Sequence, residues 1–398
     1  MKKVILIATV GLLSLGTGFW GNPSPALAAD AKILNFGLVK ATTGPAAVWG
    51  IPNSRSISMG ASKINDQGGF KVKGQIYKWN PIVYDHKYVP AEAVKAVNKA
   101  IYADKVSFLS IMGGSTTLAC IPLMKENKIL SVNDAGGGKA VTNPDNPLVF
   151  RYNPSIEGAY ARILPYLMKQ EAIKTMAVLN PDDETGRSGL DAVKPIAQVN
   201  NLTIITTEFY ERGTKEFTPM LTRVISKNPD LIDTSYTDPT SCALINKQAR
   251  ELGYKGIILL LWGPNPKDVI TIGGPHAEKA WMGVSGPLEP QTPDQKDFYN
   301  RFLKNWPASE WDSNYWTHSE QIPCVTKAIV ETQSFDPFVL AKHLETMTWD
   351  SPLGSMKVGG TKLFGIKRQM IFPSTYYRVE GGKPVFKMTL TQVPDFLE

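Results

Sequence analysis

Apolar positions follow two alternating rhythms along the chain. Short continuous or alternating runs at 33–39, 76–84, 107–112 and 129–132 predict strands, and the stretches between them carry apolar residues at helical spacing. Residues 49–66 end at Gly68-Gly69, a helix stop, and 90–102 begin with Pro90, a residue suited to the first helical position. With a further helix at 116–127, the first 130 residues or so read β-α-β-α-β-α-β. The same grammar resumes at 160–169 (helix), 175–179 (strand), 189–199 (helix), 202–209 (strand), 217–227 (helix), 231–233 (strand) and 242–252 (helix). Residues 256–261 (GIILLL) then read as a strand buried on both faces. A strand at 281–284 and helices at 294–306 and 320–332 complete the pattern. Strands alternating with helices predict an α/β protein with parallel sheets and right-handed crossovers. The two runs share grammar but not sequence, so two lobes are expected, with a ligand between them at the carboxyl ends of strands.

The N-terminus departs from this rhythm. Lys2-Lys3 precede about 12 nearly unbroken apolar residues, and Ala26-Leu27-Ala28 supply small residues for a cut after Ala28. The run is too short to span a bilayer, and Gly16, Gly18, Gly21, Pro23 and Pro25 interrupt it, so 1–28 reads as a cleavable export signal. The mature protein is expected in the periplasm.

Composition narrows the function classes. The 398 residues are 43% hydrophobic and 20% charged, which excludes intrinsic disorder. The net charge of +7 becomes +5 once Lys2 and Lys3 leave with the signal, and no basic run of five occurs, so no nucleic-acid partner is expected. Cys120, Cys242 and Cys324 are far apart and form no metal-spaced pair; buried thiols are expected, with one disulfide left open. Phosphate-loop, dinucleotide, zinc-protease and serine-hydrolase motifs are all missing, and His86, His276, His318 and His343 pair with no Cys. We therefore expect no enzyme, no metal and no cofactor. Asp182-Asp183-Glu184 reads as a solvated helix start.

Candidate chemistry gathers where predicted strands give way to helices. These junctions are Thr42-Thr43-Gly44 with Trp49; Met112-Gly113-Gly114-Ser115; Asp134-Ala135-Gly136-Gly137; Thr185-Gly186; Tyr236-Thr237-Asp238; and Trp262-Gly263-Pro264-Asn265. Gly lets backbone approach a ligand, and free N–H groups at a helix start favour an anion such as a carboxylate. Ser115 can donate a hydroxyl or simply cap its helix.

The runs "GLVKATTGPAAVWG", "SKINDQGGF", "AEAVKAVNKAIYADKVSFLSIMGGSTTLACIPLMKENKILSVNDAG", "MAVLNPDDETGRSGL", "DPTSCALINKQARELGYKGIILLLWGP" and "AWMGVSGPL" resemble, in order, the type I periplasmic binding proteins of ABC importers, closest to the leucine/isoleucine/valine-binding branch. The resemblance implies the type I periplasmic-binding-protein fold, with two Rossmann-like lobes joined by three crossovers. It places 29–153 and 286–352 in one lobe and 154–285 and 353–398 in the other. It also implies a monomer that closes on a small molecule and docks on an inner-membrane ABC permease.

The same resemblance assigns site positions. Trp49 matches an aromatic over the ligand, while Gly113, Gly114 and Ala135 to Gly137 match two carboxylate-holding loops. Thr185 falls at a stacking-Tyr position, Thr237 or Asp238 at another aromatic, Trp316 or His318 at an aromatic wall, and Asn265 where amino-acid binders carry an acid for the α-ammonium. Asn at 265 removes that counter-charge, and a buried ammonium without one is costly. A carboxylate, aromatic acid or amide is therefore expected over a standard amino acid. The alternative is a branched-chain or other amino acid held by Asp134 or Asp238. A further alternative is a ligand sensor serving a receptor.

Overall fold

A computed structural model describes residues 31–135, 138–261, 266–284, 286–392 and 394–395; the expected signal at 1–28 lies outside them. In chain order the strands are β1 (Lys32–Lys40), β2 (Phe70–Val72), β3 (Gln75–Asp85), β4 (Phe108–Ile111), β5 (Leu130–Asn133) and β6 (Val149–Arg151), then β7 (Thr175–Pro181), β8 (Thr203–Tyr210), β9 (Leu231–Asp233), β10 (Ile257–Leu260) and β11 (Ala280–Val284). They are followed by β12 (Thr348–Ser351), β13 (Gly354–Gly359) and β14 (Gln369–Ile371), and finally β15 (Ser374–Glu380) and β16 (Lys383–Leu390).

These strands form two sheets, ordered β12-β13-β14-β6-β5-β4-β1-β3-β2 and β16-β15-β11-β10-β9-β7-β8. The chain passes between them three times, as the fold class requires. The centres of both sheets are parallel: β1 pairs with β3 and β4, and β9 with β7 and β10. Three of the four edges are antiparallel, at β2–β3, β12–β13–β14 and β11–β15–β16, and the fourth, β8 on β7, is parallel.

Burial explains the centres. Phe36 and Leu38 of β1 and Phe108 of β4 are buried with Trp79 in one core, and Phe36 lies 5.8 Å from Trp79 and 6.1 Å from Phe108, ring to ring. In the second sheet Ile257 to Leu260 are buried on both faces, as the GIILLL run predicts. The acidic trio starts the helix Glu184–Val199, with the Asp183 side chain accepting from Gly186 N. All three cysteines are free and buried.

Parallel pairs dominate both sheets, as expected. One expectation needs correction. The last passage between them comes after Ile371 rather than after residue 352, because β13 and β14 complete the first sheet beside β6. β13 (GSMKVG) carries no apolar run and is only half buried at an antiparallel edge, so it leaves little periodic signal.

Candidate functional site

A cleft of about 650 Å³, its mouth included, opens where the strand ends of the two sheets face each other. Its first wall is assembled from the first sheet. The helix Ala47–Asp66 brings Trp49 and Asn53, one turn apart, to the same side. β4 runs into Met112 and Gly113, and β5 into Asp134; the two junctions are tied by Gly113 N donating to Asp134 O at 2.7 Å. Gly113 has φ +96°, and a Cβ there would lie 2.6 Å from Thr116 Oγ1 and 2.9 Å from the Tyr88 ring, so only glycine fits. The helix Asn314–His318 contributes Asn314, Thr317 and His318.

The second wall comes from the other sheet. Thr185 lies in the first turn of the helix after β7, Arg212 follows β8, and Tyr236 and Thr237 follow β9. Asn153 and Pro154, on the first passage between the sheets, close the back. The walls meet through Tyr88. Tyr88 Oη is 3.3 Å from Thr185 Oγ1, and the Arg212 guanidinium lies 5.2 Å from the Tyr88 ring centre.

The charges on the walls differ in environment. Asn53 Nδ2 donates to Asp134 Oδ2, yet burial outweighs this bond and the nearby Lys40, and holds the Asp134 carboxyl above the usual range. His318 is kept neutral, because burial and then Lys40 push its pKa well below the ordinary value. Across the cleft, Arg212 Nε donates to Asp183 Oδ2 at 2.5 Å, while its Nη2 is buried with no partner among the described residues. Asn53 Oδ1, both amide atoms of Asn153 and Thr317 Oγ1 are likewise buried and unpartnered among them. Such groups are costly unless something bonds them. Aromatic walls with a few convergent donors and acceptors suit a small polar solute with an apolar body. Among the described residues no cluster of His, Cys, Asp and Glu could hold a metal ion, and no helix is long and apolar enough to cross a membrane.

Of the sequence-predicted positions, the structure gathers Trp49, Met112, Gly113, Asp134, Thr185, Tyr236, Thr237 and His318 on the cleft. It places others elsewhere. Gly114 is buried behind Gly113, and Ser115 faces an adjoining groove with Asp182 and Phe209. Ser115 does not cap its helix: the N-cap position is Gly113, with no side-chain bond. Ala135 is fully buried off the lining. Asp238 caps the helix Pro239–Glu251, its two oxygens accepting from Ser241 N at 2.9 Å and Ser241 Oγ at 2.7 Å, so it is no free counter-charge. Trp316 is core: its Nε1 donates to Pro287 O at 2.7 Å, and its ring packs on Trp311 and Phe298. Gly136, Gly137, Trp262 and Asn265 lie outside the described residues.

Sequence reasoning missed Asn53, Tyr88, Asn153, Pro154, Arg212, Asn314 and Thr317. Asn53 was within reach, being one helical turn beyond Trp49. The others sit on loops or a short helix whose facing depends on how the two sheets approach.

Residues 34–383 match the family described as periplasmic binding protein. The chain is similar to Leu/Ile/Val-binding protein homolog 3 of Brucella melitensis, 24% identical over 81% of this chain and 82% of that protein. It is also similar to the Leu/Ile/Val-binding protein of Escherichia coli, 22% identical over 83% and 87%. Among solved structures, it resembles an ABC-transporter solute-binding protein from Rhodopseudomonas palustris in complex with p-hydroxybenzoic acid (TM-score 0.77, 18% identity, 92% of this chain and 99% of that one). It equally resembles a branched-chain amino acid ABC transporter protein from Thermus thermophilus with bound valine (TM-score 0.77, 18% identity, 91% and 97%).

Proposed function

Since the chain belongs to the periplasmic binding protein family, we propose that it is the solute-binding component of an ABC importer, exported to the periplasm, that captures a small carboxylate-bearing solute between its two sheets and presents it to an inner-membrane permease. The observation that carries the carboxylate is Arg212, whose buried Nη2 has no partner among the described residues while Trp49, Tyr88 and Tyr236 line the same cleft. A guanidinium with a free N–H reads a carboxylate by a charge-assisted bond. The aromatic faces suit an aromatic or aliphatic body, and the amide atoms of Asn153 and Asn53 suit further polar groups. The relative with bound p-hydroxybenzoic acid supports an aromatic acid as one such solute. No chemical step is assigned: the solute is bound and released. Closure draws on the extra contacts made when both walls touch it.

A second reading has one observation in its favour. Asp134 lines the first wall, so an amino acid could place its ammonium there and its carboxylate on Arg212. The valine-bound relative is consistent with it. A thermal-shift series on the mature chain, unfolded and refolded to strip carried-over ligand, separates the two. At about 100 times its Kd a ligand adds roughly 2.7 kcal/mol of stability. We expect 4-hydroxybenzoate to raise Tm, its amide to raise it less, and isoleucine to leave it unchanged. A larger shift with isoleucine would overturn the carboxylate reading in favour of the amino-acid one.

A further inference from the structure

Beneath the first wall lies a charge that the reading above does not use. Lys40, the last residue of β1, is fully buried. Its Nζ donates to Ser110 Oγ at 2.7 Å, and Ser110 Oγ donates to Gln321 Oε1 at 2.6 Å. Gln321 Nε2 lies 2.9 Å from His318 Nδ1, and His318 Nε2 lies 3.8 Å from Asp134 Oδ2. The chain thus runs from a buried ammonium to two residues of the cleft lining.

Donor and acceptor counting gives this chain one direction. An ammonium only donates, so Ser110 accepts from Lys40 and spends its own proton on Gln321 Oε1. The Gln321 amide nitrogen then faces His318 and donates, which leaves Nδ1 as an acceptor. A neutral imidazole without a proton on Nδ1 carries it on Nε2, the nitrogen on the Asp134 side. Burial and Lys40 keep His318 neutral, so this is the form present.

We propose that Lys40 sets the polarity of the cleft from below: through Ser110 and Gln321 it fixes His318 as a hydrogen-bond donor, and its charge offsets that of Asp134, so that anionic and neutral polar groups are admitted and ammonium groups are turned away. The solute preference rests on the carboxylate reading above; the direction of the hydrogen-bond chain does not. Three titratable groups face Lys40 from the elements around it: Asp134 after β5, His318, and His86 after β3. His86 is held near 4 by burial and then by Lys40, so both histidines are neutral and Asp134 is the partner whose charge matters. Lys40 itself is pushed down to about 8, burial outweighing Asp134.

Two measurements on the mature protein test this. Ring ¹⁵N shifts of ligand-free protein at pH 7, with His318 assigned through His318→Gln, should show the Nε2–H form. In Lys40→Met, and in unaltered protein taken from pH 7 to pH 9.5, where the neutral amine can accept as well as donate, the Nδ1–H form should appear beside it. The pH arm covers a variant that fails to fold, and an unchanged Nε2–H form in both would overturn the role of Lys40. Calorimetry with benzoate and benzylamine should show the benzoate-over-benzylamine preference falling by ~10-fold or more in Lys40→Met, the scale of one charge-assisted bond. An Nδ1–H form in the unaltered protein, or a preference that Lys40→Met leaves in place, would overturn the inference. The expected shifts together with tighter binding of benzylamine than benzoate by the unaltered protein would sink the carboxylate reading and leave the direction of the chain standing.

Discussion

The two walls of the cleft hold their polar groups by different means. On the first wall the partners are distant in sequence: Lys40 with Ser110, Ser110 with Gln321, and Asn53 with Asp134. On the second wall the acids at the strand-to-helix junctions, Asp183 and Asp238, are helix caps. Asp183 accepts from Gly186 N three residues on while holding Arg212, and Asp238 is spent on Ser241. A cap is specified by a few neighbouring residues and survives wherever its helix is placed. A buried chain of hydrogen bonds exists only when several elements converge, and a missing member leaves its neighbours unsatisfied. The first wall therefore acts as a preset electrostatic surface, and the second as a set of self-contained strand-to-helix units that carry Arg212, Thr185 and Tyr236 to it.

Buried ionisable groups sharpen the contrast most, because each wall rests on one of opposite kind. Burial pushes Lys40 down to about 8 and Asp233, at the end of β9, up to about 6. For Asp233 the folded value lies above the ordinary 3.8, so its contribution is complete below about pH 4 and is lost as pH rises towards 6. For Lys40 the folded value lies below the ordinary 10.5, so its contribution is complete above that pH and is lost as pH falls towards 8. Each window is worth on the order of 3 kcal/mol. Denaturant unfolding against pH should show Asp233→Asn flattening the acid window alone and Lys40→Met the alkaline window alone. A variant that flattens both would show that the walls are not electrostatically separate.

Next in size is Arg212→Met, expected to weaken carboxylate binding by ~1.5–3 kcal/mol in calorimetry and amide binding far less. Equal losses would mean that Arg212 shapes the second wall without reading charge. Trp49→Ala should cost ~1–3 kcal/mol of affinity for carboxylate and amide alike, the scale of burying one large aromatic ring, since the first wall would lose area and no charge. Smallest is Asp238→Ala, expected to lower stability by ~1 kcal/mol as a lost cap while leaving Kd unchanged. A clear change in Kd would return Asp238 to the site.

Much of the second wall is legible in the sequence. Thr185, Tyr236 and Thr237 follow strand ends and stand on the cleft. Asp238 and Trp316 were misplaced because a capping acid looks like a binding acid, and a core indole like a ligand platform, until their partners are known. Arg212 and Tyr88 were missed for the converse reason: each follows a strand with no motif, and each matters only because the other stands opposite. β13 and β14 left little signal because neither carries a long apolar run and both finish a sheet begun more than two hundred residues earlier.

The sequence by itself determined the alternation of strands and helices, the buried centres of the sheets and several strand-to-helix junctions that line the cleft, because periodicity and capping act within a few residues. The tertiary structure alone decided which strands finish each sheet, which acid is spent as a cap, and that Lys40, Ser110, Gln321 and His318 form one line beneath Asp134. Burial and directional hydrogen bonds take their values from atoms that meet only when distant segments converge.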